Sequence, residues 1–230
     1  MESKYFFIGL IPARKGSKGL KNKNVLSLNN KPLVQHTFEA ANSSSCIDEV
    51  WVSSDDLTIL SLADSMNIKG LKRPKKFATD QSSSVDVVNH FINSFPDNLN
   101  YEKTYIVYLQ PTSPLRNSSH VDEAINQLIE QNNKSLTSVM RLRKSPFKSF
   151  VISESGNLQS LFNEQLSNAR RQDLQDAYIP NGAIYIFTIA EFLSRKYKKS
   201  RIIGFDNLNN YYSPISNKKR IKQLKKYKNF

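Results

Sequence analysis

Tyr5-Phe-Phe-Ile-Gly-Leu-Ile-Pro-Ala-Arg-Lys-Gly-Ser-Lys-Gly19 changes character at Pro12. Up to Ile11 the segment is apolar, which predicts a first buried strand over Tyr5–Ile11. No small-residue cleavage site follows, so the start is read as a strand and not as a signal peptide. The loop Pro12–Asn24 then gathers Arg14, Lys15, Lys18, Lys21 and Lys23 around Gly16, Ser17 and Gly19. Glycine lets a backbone come close to a ligand and present its N–H groups. Lysine and arginine supply charge and forked donors for phosphate oxygens. Cations this close repel one another unless an anion neutralises them. The loop is therefore a phosphate cradle or, failing that, an exposed basic turn. It matches neither the Walker pattern nor the dinucleotide pattern of spaced glycines.

Outward from this loop, short apolar runs alternate with helical stretches. Strands are predicted at Glu49–Ser53, Ile68–Lys72, Tyr105–Leu109, Leu136–Met140 and Ala183–Phe187. Helices are predicted at Leu33–Ser43, Leu57–Met66, from Ser83 or Ser84 to Phe95, at Val121–Gln131 and at Ile189–Arg195. Ser54, Asp55 or Asp56 would cap the second of these. This βαβα alternation predicts an α/β fold with a largely parallel, doubly wound sheet. The rhythm breaks at 141–178, where a basic segment, a hairpin signal at Gly156-Asn157 and a polar stretch predict an excursion from the sheet, either a flap or a dimerisation lobe.

A length of 230 residues suits one such domain. The single cysteine, Cys46, excludes an internal disulfide and a multi-cysteine metal site, and points to a reducing cytoplasm. No apolar run is long enough to span a membrane. The net charge of +13 lies almost wholly beyond Arg195, with Asp206 the one acid there. A global nucleic-acid footprint would be spread more widely. The tail, 206–230, is either a solvated terminus or a surface for an anionic partner. Its aromatics, Tyr211, Tyr212, Tyr227 and Phe230, leave nucleic-acid stacking as a remote alternative.

Ligands of open α/β sheets bind beyond the carboxyl ends of the strands. Besides the first loop, the segments at such ends are Ser53–Asp56, Arg73–Ser84, Gln110–Arg116 and the stretch around Asn181–Tyr185. In Gln110-Pro-Thr-Ser-Pro-Leu-Arg116 two prolines stiffen a frame on which Gln110, Thr112, Ser113 and Arg116 offer polar contacts. Gly182 and Ala183 would leave room against a ligand, and Asn181 can donate and accept. Arg170-Arg171-Gln172 could meet a carboxylate or phosphate, or sit at an interface.

Six segments in order carry a resemblance. They are Ile11-Pro-Ala-Arg14 with Ser17-Lys-Gly-Leu20 and Lys23-Asn24; Val52-Ser-Ser-Asp55; Arg73-Pro74 with Ala78-Thr-Asp80 and Ser83-Ser84; Leu109-Gln-Pro-Thr-Ser-Pro-Leu-Arg116; Arg171-Gln172; and Pro180-Asn-Gly-Ala-Ile-Tyr185. Together they resemble the acylneuraminate cytidylyltransferases, the CMP-sialic acid synthetases, including relatives that activate legionaminic or pseudaminic acid. The resemblance implies a three-layer α/β/α, Rossmann-like nucleotidyltransferase fold with a mostly parallel mixed sheet and a small dimerisation lobe. It implies one domain over 1–230, a homodimer, CTP and an acidic nine-carbon 2-keto sugar as substrates, CMP-sugar and pyrophosphate as products, and Mg²⁺ as cofactor. Carried over by position, Arg14, Ser17, Lys18, Lys23 and Asn24 would hold the triphosphate, with Arg14, Lys18 and Lys23 carrying the catalysis. Arg73 and Ser84 would read the cytosine, and Gln110, Arg171, Asn181 and Tyr185 would line the sugar side.

The chain departs from the family pattern at the metal. Pro214 and Ser216 stand where two aspartates are usual, and Lys218, Lys219 and Arg220 follow. Mg²⁺ wants carboxylate oxygens. Three alternatives remain open at the level of sequence. The triphosphate holds the metal, with Asp206 or Asp55 nearby; or Lys218 or Arg220 replaces it; or the chain is a weakened relative that binds nucleotide. Activation of a different acidic sugar is a separate alternative for the function. Gln175 and Ile179 are smaller departures on the sugar side.

Overall fold

The protein is described by a computed structural model covering residues 5–16, 19–95 and 99–194, and the backbone of Ile203–Phe205. Its strands, in chain order, are β1 (Phe6–Pro12), β2 (Ser27–Leu28), β3 (Lys31–Pro32), β4 (Glu49–Ser54), β5 (Lys69–Lys72), β6 (Thr104–Tyr108), β7 (Ser135–Arg141), β8 (Phe150–Ile152), β9 (Leu158–Ser160), β10 (Tyr178–Thr188) and β11 (Ile203–Phe205). The α-helices are α1 (Leu33–Asn42), α2 (Leu57–Ser65), α3 (Ser84–Ser94), α4 (Ser118–Glu130), α5 (Glu164–Asn168) and α6 (Ile189–Leu193).

The main sheet runs β11-β7-β10-β6-β1-β4-β5. β1 pairs in parallel with β4 and β6, β4 with β5, and β11 with β7, while β10 lies antiparallel to β6. The sheet is thus mixed and mostly parallel. Successive residues of a strand point to opposite faces. Phe7 and Ile11 of β1, with Tyr105 and Val107 of β6, join a core that includes Val34 and Phe38 of α1, Ile59 of α2 and Ile125 of α4. Ile8 and Leu10, with Ile106 and Tyr108, join a second core with Val88 and Phe91 of α3 and Phe192 of α6. Two apolar faces on one sheet, each covered by helices, make a three-layer α/β/α arrangement.

The described residues divide into two compact units. One runs to Ser138 and resumes at Gly182; the other is Val139–Asn181. Within the second unit, β8 and β9 pair antiparallel around a turn in which Gly156 has φ +83°. A small hairpin of β2 and β3 follows the first loop. Asn29 and Asn30 at its tip have φ values of 53° and 66°, the pair of left-handed residues that a tight two-residue turn requires.

Several boundaries differ from those the sequence predicts. α4 begins at Ser118, three residues before the apolar spacing starts at Val121. Its first turn is polar and is set by a capping box, in which Asn117 Oδ1 accepts the His120 N–H at 3.0 Å and His120 Nδ1 accepts the Asn117 N–H at 3.2 Å. Asp56 is the cap of α2 and Ser83 that of α3. β10 starts at Tyr178 and not at Ala183; its first residues are exposed, so they carry none of the apolar signal by which a strand is recognised. α6 is helical to Leu193, and Arg195 lies outside the described residues. Among the described residues no helix is long and apolar enough to cross a membrane.

Tyr105 and Tyr108 lie on opposite faces of β6, and burial pushes each phenol up to about 12. Between their ordinary value, about 10, and that figure, the unfolded chain releases protons that the folded chain keeps. Their contribution to stability is therefore present below pH 10 and lost as pH rises towards 12. Phenolate absorbance of the folded protein should show two late-titrating tyrosines, and Tyr105→Phe and Tyr108→Phe should each remove one.

Candidate active site

The parallel strands β1, β4, β5 and β6 end along one edge of the sheet. β10 runs the other way, with Tyr185 opposite Tyr108, so its residues from Gly182 to Tyr185 reach the same edge. Here the loop after β1 is stitched to the end of β4. The Ala13 N–H donates to Ser53 O at 3.0 Å, Ser54 Oγ donates to Ala13 O at 2.5 Å, and the Lys15 N–H donates to Asp55 Oδ1 at 2.8 Å. Asn24 returns from the other end of the loop. It is 4% exposed, and its side-chain amide donates to Arg14 O at 3.0 Å. Asn24 therefore shapes the loop by holding the backbone of Arg14, and its Oδ1 is buried without a partner among the described residues.

The loop's cations sit among a few acids. Arg14 pairs with Asp80, Nη1 to Oδ1 at 2.6 Å. Lys23 is half buried, and burial, then the charge of Arg14, pulls its pKa below that of an ordinary lysine. Arg73 is 4% exposed. Its Nε donates to Ser53 Oγ at 3.0 Å and its Nη2 to Ser53 O at 2.6 Å, which fixes the guanidinium under the end of β4. Burial lowers its pKa, while Tyr108 and Asp55 act to raise it and Arg14 to lower it. Arg14, Asp55, Arg73 and Tyr108 thus share one electrostatic neighbourhood.

A cleft of about 350 Å³ opens beside it in the same unit. Ser84, Val85 and Val88 of α3 form one wall. Tyr108 comes from β6 and Gln110 from the turn just past it, Tyr185 and Phe187 from β10, Ser135 and Thr137 from β7, and Phe192 from α6. Tyr108 and Tyr185 meet edge to face, with centroids 6.5 Å apart. Ser84, Gln110 and Tyr185, which come from three separate sequence segments, therefore line one cavity. Val85, Val88 and Thr137 belong to it too, and no local sequence signal distinguishes them from ordinary helix and strand positions.

Two expectations need correcting. Arg116 is not a polar contact facing the edge, being 2% exposed. Its Nη1 donates to Gln110 O at 3.1 Å and Ala183 O at 2.6 Å, and its Nη2 to Thr37 Oγ1 at 2.8 Å. Nor does Ala183 serve to make room, being 5% exposed. Gly182 has φ +77°, and an added Cβ would stand 3.9 Å from Gln110 Oε1, an ordinary contact. Glycine is needed there for its backbone conformation, and Ala183 is packed in the core.

Asn181 and Arg171 belong to the second unit. There Asn181 Nδ2 donates to Val139 O at 3.2 Å, and Arg171 Nη2, on an exposed turn, donates to Arg143 O at 2.6 Å. Ser17, Lys18, Asp206, Pro214, Ser216, Lys218 and Arg220 lie outside the described residues. Among the described residues no three His, Cys, Asp or Glu side chains cluster as metal ligands. Asp55 is a carboxylate at this edge, and one of its oxygens already accepts the Lys15 N–H.

A mixed α/β/α sheet with a cation-bearing loop and a cleft at its carboxyl edge is the architecture of a nucleotide-handling α/β protein. The cytidylyltransferase family model matches residues 8–229, and the chain belongs to this family. It is 35% identical over 191 residues to the N-acylneuraminate cytidylyltransferase of Streptococcus agalactiae serotype V, covering 82% of this chain and 45% of that protein. It is 37% identical over 192 residues to the enzyme of the same name from Escherichia coli O18:K1:H7, covering 83% of this chain and 44% of that one. The chain thus spans a little under half the length of these relatives. To the pseudaminic acid cytidylyltransferase of Campylobacter jejuni serotype O:2 it is 31% identical over 189 residues, 82% of this chain and 81% of that protein. Among solved structures, a CMP:2-keto-3-deoxy-manno-octonic acid synthetase complexed with CTP shares the fold, with a TM-score of 0.63 at 17% identity over 87% of this chain and 89% of that one. The 4-diphosphocytidyl-2C-methyl-D-erythritol synthase of Anaerococcus prevotii shares it at a TM-score of 0.59 and 9% identity, over 88% and 89%. The α/β nucleotidyltransferase fold is thereby shown.

Removing the Arg116 guanidinium takes a donor from two carbonyls and one hydroxyl, of which Gln110 O keeps the Ser113 N–H at 3.4 Å. Arg116→Met should lower stability by about 1–3 kcal/mol, the cost of weakening buried hydrogen bonds of this kind. Urea unfolding measures the loss.

Proposed function

We propose that the chain transfers a cytidylyl group from CTP to the anomeric hydroxyl of an acidic nine-carbon 2-keto sugar. The hydroxyl oxygen bonds to the α-phosphorus, the bond from that phosphorus to the bridging oxygen breaks, pyrophosphate leaves, and the hydroxyl proton passes to solvent or base. Negative charge grows on the phosphoryl oxygens and the leaving group, where fixed cations stabilise it best. Arg14, Lys18 and Lys23 take this role, and the Ser17 hydroxyl helps hold the triphosphate. Asn24 supports it by holding the backbone of Arg14. Arg73 and Ser84 face the base, and Gln110, Tyr185, Asn181 and Arg171 the sugar. The observation that supports this reading most is the meeting of Arg14, Asp55, Arg73 and Tyr108 in one field beside the cleft of Ser84, Gln110 and Tyr185.

The family brings Mg²⁺ with it. One protein carboxylate plus substrate phosphates is a common way to hold this ion, and Asp55 has the right donor at the right edge. Asp55 would hold the ion together with the triphosphate, and the ion would add positive charge beside the phosphoryl oxygens.

We also infer that the chain pairs with a second copy through its second unit. Ile152 and Leu158 face one another across β8 and β9, yet are 75% and 71% exposed. Phe150, Leu161, Phe162 and Tyr178 add to an apolar surface of a kind that marks an interface. The double substitution Ile152→Asp, Leu158→Asp should shift sedimentation velocity to the monomer.

Pyrophosphate release from CTP, assayed with sialic, legionaminic and pseudaminic acids in Mg²⁺ and in EDTA, tests the activity. Release with one of these acids, abolished by EDTA, is expected. Arg14→Ala or Lys23→Met should reduce it about 10²–10³-fold with the circular dichroism unchanged. CTP binding without release for any acid would reduce the reading to a nucleotide-binding relative, and unchanged turnover in both variants would overturn the loop assignment.

A further inference from the structure

β4 ends in two consecutive serines, Ser53 and Ser54, and both are fully buried. Their side chains face opposite sides of the sheet, as successive strand residues do. A buried hydroxyl costs free energy unless it is hydrogen-bonded, and each of these has a bond that accounts for it. Ser54 Oγ donates to Ala13 O in the first loop. Ser53 Oγ serves Arg73, accepting its Nε–H at 3.0 Å.

Ser53 holds that guanidinium twice. Its carbonyl accepts the Nη2–H at 2.6 Å, so the hydroxyl and carbonyl of one residue grip the same side of the fork. The Arg73 N–H donates to Ser54 O at 2.7 Å, which ties the backbone to the same strand end. A guanidinium is planar and rigid. Two bonds on its Nε side therefore set the direction of the whole group, and Nη1 has no hydrogen-bond partner among the described residues. The Ser53 carbonyl also accepts the Ala13 N–H at 3.0 Å, using its second lone pair. With the hydroxyl removed, a single bond to the carbonyl would remain, and the guanidinium could turn about it.

We infer that Ser53 is a positioning residue, whose hydroxyl sets the direction in which Arg73 offers its remaining donors to the pyrimidine of CTP. This rests on the cytidylyltransferase reading, in which Arg73 faces the base. Ser53 acts through Arg73 and makes no contact with the nucleotide itself. Ser53→Ala removes the hydroxyl and keeps the carbonyl. The bond from the Ala13 N–H therefore survives, and the first loop keeps its place.

Titration calorimetry of the full chain with CTP and with inorganic tripolyphosphate, both in Mg²⁺, tests this. Tripolyphosphate carries the charge of the triphosphate without the pyrimidine. Ser53→Ala should weaken CTP about 10-fold or more, the value of a hydrogen bond to a charged group. Tripolyphosphate should bind Ser53→Ala as it binds the unsubstituted chain, which also reports that the loop is folded. In an Arg73→Met background the same serine substitution should change CTP affinity by no more than about twofold, because residues that act as one unit are not additive. A serine that only supports the fold would weaken CTP by the same factor in both backgrounds. Unchanged CTP affinity in Ser53→Ala, an equal loss for tripolyphosphate, or an undiminished loss in the Arg73→Met background would each overturn the inference. The comparison of the two ligands decides the matter even should Arg73→Met fail to fold. CTP bound equally by the unsubstituted chain and Ser53→Ala sinks the role of Ser53 alone, whereas no binding of CTP by the unsubstituted chain sinks the transferase reading with it.

Discussion

The guanidinium of Arg116 ties together three segments that lie far apart in the sequence. It reaches Gln110 O at the end of β6, Ala183 O in β10 and Thr37 Oγ1 in α1. These hydrogen bonds offset much of the cost of burying the guanidinium, and the acceptors in turn gain donors away from water. The bonds therefore fix the chain just past β6 against an early part of β10. Because β10 runs antiparallel to β6, that part of it lies at the carboxyl edge of the parallel strands. Gln110 and Tyr185 come to line one cleft because of this tie, and Gly182 bends the strand with a backbone conformation open to few other residues.

The first loop is organised by the same logic from the other side of the edge. Its backbone is held at three points: Ser54, Asp55 and Asn24 bond the main chain of Ala13, Lys15 and Arg14. Asp80 is the counterion of the Arg14 side chain. In the proposed reading such a held frame is the pre-organisation that a phosphate site asks for, with the ligand taking the place of Asp80 at Arg14.

Much of this was legible in the sequence. The apolar runs of β1 and β6, the caps at Asp56 and Ser83, and the basic loop are local features, set by what lies within a few residues. Arg14, Arg73, Ser84, Gln110 and Tyr185 could be singled out because they sit in short, dense motifs at predicted strand ends. Arg116 could be singled out too, but not its role, since a motif records that an arginine is there and not whether it faces ligand or core. Thr137 gave no signal, because a threonine in a strand is what β-propensity alone would supply.

By itself the sequence determined the alternation of strands and helices, the cation-rich loop after β1 and membership of a nucleotidyltransferase pattern, because these depend on residue type and local spacing. Only the tertiary structure decided the order of the strands, the reversal of β10, the burial of Arg116 and Arg73, and the gathering of Val85, Thr137 and Phe192 around Tyr185. The physical reason is that burial and cross-strand contact belong to residues brought together by the sheet, over separations at which local pattern carries no information.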